Sequence, residues 1–165
     1  MRVKVSTSLL TTLCVGLLIS CQNHEFTVNN QVVYTPPSLF SDYRIDDPAL
    51  KECVRKNIEE QRLRKAEDLT RLLCSAGAIR ELSGLEVFSE LEQLGLGNNH
   101  IVDIHTLATL THLHHLNLQD NEIVDAAVLS ELPALQSVNL SGNQSLDCSS
   151  VKLASRDTTL PQHCR

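Results

Sequence analysis

The chain has 165 residues, 14 Lys and Arg against 20 Asp and Glu, and a net charge of −6. Two Tyr, three Phe and no Trp leave neither the basic footprint nor the stacking platforms that nucleic acid needs. The acidic balance also argues against electrostatic attraction to anionic headgroups, and the length suits one domain with one modest core.

Residues 1–20 begin with Arg2 and Lys4 and run apolar through Leu9, Leu10, Leu13, Val15, Leu17, Leu18 and Ile19. That is a basic n-region followed by an apolar h-region too short to span a bilayer comfortably. The stretch ends in Leu18-Ile19-Ser20-Cys21, which resembles the lipobox of bacterial lipoproteins. The resemblance implies cleavage before Cys21, a diacylglycerol thioether on its sulfur and an acylated amino terminus. Three acyl chains, at about 0.8 kcal/mol per buried CH₂, would hold a small domain firmly on a membrane. Gln22, where an Asp would resemble an inner-membrane retention signal, points to the outer membrane. A simple cleaved secretory signal and an uncleaved anchor are the competing readings. Without the leader, twelve basic residues face twenty acidic ones, net −8.

Residues 21–46 read as a tether that spaces the domain from the membrane. Phe26 to Tyr34 is either a small hairpin turning at Asn29-Asn30 or an extended segment, and Pro36-Pro37 stiffens the chain after it. Residues 47–68 read as a helical N-terminal cap. Asp47 is the N-cap, Pro48 the first helical residue, and Leu50, Cys53, Val54 and Ile58 recur at helical spacing through about Gln61. Arg55, Lys56, Arg62, Arg64 and Lys65 cluster here, more simply a solvated face than an anion site.

From residue 69 to 156 one 22-residue pattern occurs four times, opening at Leu69, Leu91, Leu113 and Leu135. Leu72, Leu94, Leu116 and Val138 come three residues later, then Cys74, Leu96, Leu118 and Leu140. Asn99, Asn121 and Asn143 follow, with Gly77 where the first unit departs. Leu94 and Leu96 alternate with period two, so both point to one face of a short strand. One unit cannot bury that face alone; stacked units make a parallel sheet over a shared core. Ile101, Ile104, Leu107 and Leu110 keep the return path apolar at intervals of three, which suits 3₁₀ turns. Each asparagine amide must find backbone partners where the strand bends.

The runs LEQLGLGNNHIVDIHTLATL and LHHLNLQDNEIVDAAVLSEL resemble the leucine-rich repeats of bacterial proteins such as the internalins. The resemblance covers about half the chain. It implies an α/β-type solenoid with a short parallel sheet, an irregular 3₁₀ convex side and about four repeats, serving protein recognition without catalysis or cofactor. Gly77 and Ser145 break the pattern, marking the end units as caps, with 157–165 as a C-terminal tail.

With Cys14 in the leader and Cys21 lipidated, Cys53, Cys74, Cys148 and Cys164 remain. In an exported chain an even number reads as disulfides. Strands about 4.8 Å apart put the first and fourth about 14 Å from each other, too far for a bridge that tolerates about 7 Å between α-carbons. Cys53 then pairs with Cys74 and Cys148 with Cys164. A buried free thiol at Cys74 remains open, whereas zinc lacks any C-x₂-C spacing.

Of seven histidines, His112, His114 and His115 cluster, with Glu90, Glu92 and Gln93 beside them in the previous unit. No second histidine row or carboxylate pair completes a metal triad, and neither a nucleophile elbow nor a phosphate loop occurs; no catalytic or metal residue is assigned. The concave face is the expected binding strip: Arg71, Leu73 and Ser75; Gln93, Gly95 and Gly97; His115, Asn117 and Gln119; Ser137, Asn139 and Ser141. Gly95 and Gly97 are expected to leave a bare patch for a partner's backbone. The sequence therefore predicts a monomeric, non-catalytic envelope lipoprotein that binds an unidentified protein. A structural component docking through its tail or caps, and a hydrolase or metal-dependent enzyme, are the alternatives.

Overall fold

The computed structural model describes residues 26–28, 31–34, 38–152 and 157–164. The leader, Cys21, Gln22, the Asn29-Asn30 turn and Pro36-Pro37 lie outside the described residues. The chain forms two compact units, Met1–Pro37 and Ser38–Arg165. In the first, β1 (Phe26–Val28) pairs antiparallel with β2 (Gln31–Tyr34), with Val28 opposite Gln31. Of the two readings of this stretch, the hairpin is the one adopted.

The second unit is a coil of short parallel strands: β3 (Arg71–Leu73), β4 (Gln93–Gly95), β5 (His115–Asn117), β6 (Ser137–Asn139) and β7 (Asp157–Thr159), in that spatial order. Leu72, Leu94, Leu116 and Val138 lie side by side in register and all are buried. Behind them Leu96, Leu118, Ile101, Ile123 and Leu107 join the same core. The return paths are 3₁₀ turns at Leu85–Val87, His105–Thr109, Ala127–Glu131 and Cys148–Ser150. Asp103, Asp125 and Asp147, at one repeat position, accept from the backbone N–H two residues ahead at 2.8–2.9 Å.

The buried asparagines knit one unit to the next. Asn121 Nδ2 donates to Leu96 O (2.9 Å) and Leu118 O (3.0 Å), while its Oδ1 accepts from Ile101 N (3.1 Å). Asn143 repeats this on Leu118, Leu140 and Ile123. Where Gly77 interrupts the series, Asn99 Oδ1 accepts from both Gly77 N and Ile79 N at 3.0 Å, so the break leaves no orphan donor. The bend itself is left-handed at one repeat position, Ala76, Asn98, Asp120 and Gly142, with φ of 58, 58, 52 and 79°. Asn and Asp tolerate that region. At Gly142 a Cβ would sit 1.9 Å from Asp120 Oδ1, so glycine leaves room for that carboxylate.

Flanking chain covers the β3 edge and extends the sheet beyond β6. Helix α1 (Pro48–Gln61) starts at the Asp47 cap and ends at Arg62 in the left-handed region. It buries Leu50, Val54 and Ile58, and Gln61 Nε2 donates to Arg71 O on β3 at 3.4 Å. Asp47 does more than cap: Oδ1 accepts from Ala49 N and Leu50 N, both 2.9 Å, and Oδ2 from Arg80 N (2.9 Å) and Glu81 N (3.3 Å). One carboxylate thus fastens the helix to the first repeat. Burial would raise its pKa, but the four N–H donors outweigh that and hold it below the usual carboxylate value. Arg55 is held between Glu52 and Glu59 on the exposed face.

Two expected boundaries shift. Residues 38–46 are not part of a tether but belong to the folded unit: Ile45 is buried, Phe40 N donates to Leu63 O, and the Phe40 and Tyr43 rings lie 6.1 and 5.8 Å from that of Phe88. Apolar burial holds this segment down, and Arg44 O packs so close to Gly84 that a Cβ there would meet it at 2.1 Å. Residues 157–165, expected as a tail, supply β7, whose Thr159 O accepts from Leu140 N at 2.8 Å. Asp157 aligns with Ser137 after twenty residues, two short of the repeat period. The early strand gives the open β6 edge partners it would otherwise lack.

Candidate functional site

The five strands present their outward side chains in two rows. The first runs Arg71, Gln93, His115, Ser137, Asp157 and the second Leu73, Gly95, Asn117, Asn139, Thr159, each aligned by strand register. All but Arg71, which stands at the β3 margin, line an open groove of about 430 Å³. Arg71, Gln93, His115 and Asn117 are exposed, and Ser137, Asn139, Gln119 and Ser141 are half-buried. Asp157 and Thr159 do not show in the sequence pattern, because the 22-residue register would put a further strand at 159–161 and β7 starts two residues earlier.

Gly95 and Gly97 do not form the expected bare patch; both are buried. The Leu73 side chain lies over Gly95, 2.8 Å from where a Cβ would be, and the Asn117 amide lies over Gly97. Small residues here make room for neighbouring side chains of this chain, so the apolar feature a partner meets is Leu73, 50% exposed. Leu73 and Ser75 also line a second groove of about 420 Å³ beside α1, with Glu52, Lys56 and Asn57.

Part of the strip's polar capacity is used internally. Asn117 Oδ1 accepts from Gln119 N (3.0 Å), Asn139 Oδ1 from Ser141 N (3.0 Å) and Ser141 Oγ (2.6 Å), and Asn139 Nδ2 donates to Gln119 Oε1 (3.2 Å). These bonds stiffen the end of the floor where the strands bend. His115 Nδ1 lies 2.8 Å from Ser137 Oγ, the nucleophile–base distance of a hydrolase. Yet the residue on the other side of His115 is Gln93, and the carboxylate of Asp157 stands beyond Ser137. A triad needs its acid on the imidazole.

Three other histidines among the described residues meet partners off this floor. His112 Nδ1 reaches Ser89 O at 3.2 Å and Glu90 at 3.9 Å, and His100 meets Glu122 at 2.8 Å. His105 bonds Asp103 at 2.6 Å, a hydrogen bond and ion pair that raise its pKa. Cys53 is bonded to Cys74 and Cys148 to Cys164, with Cα separations of 5.8 and 5.3 Å. Two such bridges suit an oxidising, extracytoplasmic compartment. Cys148, Cys164 and His163 bring potential ligand atoms within 4.8 Å of one another. Both sulfurs are committed to the disulfide, and His163 Nε2 donates to Leu146 O at 3.0 Å, so that group is a cap rather than a metal centre.

A family model described as leucine rich repeat matches residues 89–144. Internalin C2 from Listeria monocytogenes superimposes with a TM-score of 0.53 over 61% of this chain and 46% of its own, at 21% identity. The fold is a leucine-rich-repeat solenoid. An internalin, inlF, of the same organism aligns at 25% identity over 61% of this chain and 38% of its own, with a TM-score of 0.45. The chain thus spans less than half the length of these internalin structures. Comparison with curated proteins returns no sequence match. Leucine-rich-repeat solenoids typically bind proteins on the concave side of their sheet. Among the described residues, no helix is long and apolar enough to cross a membrane.

Proposed function

We propose that this chain is a non-catalytic lipoprotein of the bacterial envelope that binds another protein through the concave face of its solenoid. The carrying observation is the groove floor itself. Nine outward side chains, in register over five strands, meet solvent on one face of the sheet. Supporting the address are Leu18-Ile19-Ser20-Cys21 as a lipidation sequence, Gln22 as an outer-membrane signal, and two disulfides formed outside the cytoplasm. Cys21 carries the membrane attachment, and the domain works as a monomer without cofactor or nucleic acid.

Capture from crosslinked native envelopes tests the surface. Exposed Gln93 and His115 take bulk without entering the core, so Gln93→Trp with His115→Trp blocks the floor and leaves a cooperatively melting domain. Loss of the captured protein is expected; unchanged capture by this variant would place binding on the tail or caps. Labelling with radioactive palmitate tests the anchor: incorporation is expected in the natural chain and absent in Cys21→Ala.

A further inference from the structure

The first row of the floor is electrically polar from end to end. Arg71, on β3, is exposed at one side and Asp157, on β7, is exposed at the other. Neither has a salt-bridge partner among the described residues. Between them stand Gln93, His115 and Ser137, none of which is a carboxylate or a permanent cation. Five strands about 4.8 Å apart separate the two charges by about 19 Å, the span of about six residues of extended chain. Beside Arg71, in the second row, Leu73 offers the floor's exposed apolar surface and the lip shared by both grooves.

We propose that the concave face takes an extended peptide segment of about six residues, laid across the strands. This segment carries an acidic and an apolar side chain at the β3 end, over Arg71 and Leu73, and a basic side chain at the β7 end, over Asp157. The proposal rests on the binding reading above and narrows it to a charge order and a length. A folded partner presents such a segment as an exposed loop or tail. Its central side chains meet His115, Ser137 and Asn139, which exchange hydrogen bonds without imposing a charge. A partner with like charges at both ends would place one of them against its own sign.

The test uses the full chain and capped, fluorescein-labelled peptides Glu-Leu-Ser-Thr-Ser-Lys, in both sequence directions, read by anisotropy at low salt. Three companions replace the terminal charges: Lys at both ends, Glu at both ends, and Ser at both ends. A fourth holds Glu and Lys adjacent. The natural chain is expected to prefer the six-residue Glu…Lys peptide, in one direction, over the Lys, Glu and adjacent-charge companions by about fivefold, the value of one exposed ion pair. Over the Ser companion, which lacks both pairs, the preference should reach about twenty-fivefold. Arg71→Glu should transfer the preference to the peptide with Lys at both ends, and Asp157→Lys to that with Glu at both ends. A switch in preference, unlike a loss, is not produced by unfolding; cooperative melting of each variant confirms this.

Equal affinity for all five peptides, or variants that melt cooperatively yet keep the original preference, would overturn the proposal. So would absence of peptide binding by a chain whose captured protein still depends on Gln93 and His115, and there the binding reading itself would survive. Self-association abolished by Arg71→Glu would assign the face to a second copy and also overturn it.

Discussion

Asp47 is the residue on which the N-terminal cap depends, and the structure sets the size of that dependence. Its carboxylate accepts from four backbone N–H groups, two on α1 and two in the first repeat. Losing a helix cap costs about 1 kcal/mol. The Arg80 and Glu81 donors are part-buried, and stranding them adds about 1 kcal/mol each, the low end for unsatisfied groups. Asp47→Ala is therefore expected to destabilise by about 3 kcal/mol. Asp47→Ser keeps a cap but reaches neither distant donor, and should lose about 2 kcal/mol. With no Trp in the chain, urea unfolding is best followed by far-UV circular dichroism; at a slope near 2 kcal/mol/M the midpoints fall by about 1.5 and 1 M.

The acid limb gives an independent check. Because the native pKa is depressed, the carboxylate's contribution is fully present above its unfolded value of about 3.9 and is lost as pH falls through the lower native value. The gap between the natural chain and Asp47→Ser should narrow in that window. A Ser variant within 0.5 kcal/mol of the natural chain, or a gap unaffected by acid, would refute the fastening role.

Three further outcomes rest on the packing. Asn121→Ala strands the Ile101 N–H in the core, while Leu96 O and Leu118 O keep Asn99 and Asn143 as donors, and should cost about 2 kcal/mol in the same urea measurement. Ala76→Gly relieves a left-handed alanine with φ 58°, so a stabilisation of about 1 kcal/mol is expected, read as a higher melting temperature. Replacing Cys148 and Cys164 by Ala opens a loop of sequence separation 16, worth about 3 kcal/mol in the chain-entropy model. It should also selectively lower hydrogen-exchange protection at Leu140 N–H, which β7 holds.

The register of Leu72, Leu94, Leu116 and Val138 was legible because a fixed period forces successive units into the same local geometry. Asp47-Pro48 was legible as a helix start because capping is local. The second role of Asp47 was not, since its partners lie 33 and 34 residues away and no spacing rule links a carboxylate to a distant bend. Phe40, Tyr43 and Ile45 show no period, so nothing separated a packed segment from a tether. Strand β7 arrives two residues early and without a Leu-x-Leu pair, which hid Asp157 and with it half of the charge order on the floor. Gly95 misled for a different reason: a glycine reads as open space only until a neighbour such as Leu73 fills it.

Site-specific photocrosslinking in the native envelope tests most directly whether the concave face is the working surface. A benzoylphenylalanine at Gln93 or His115 samples the groove floor, and one at Val102 or Val124, about half exposed on the return paths, samples the opposite context. Adducts with the same protein from Gln93 and His115, and none from Val102 or Val124, are the predicted result. Adducts confined to the valine positions would contradict the account.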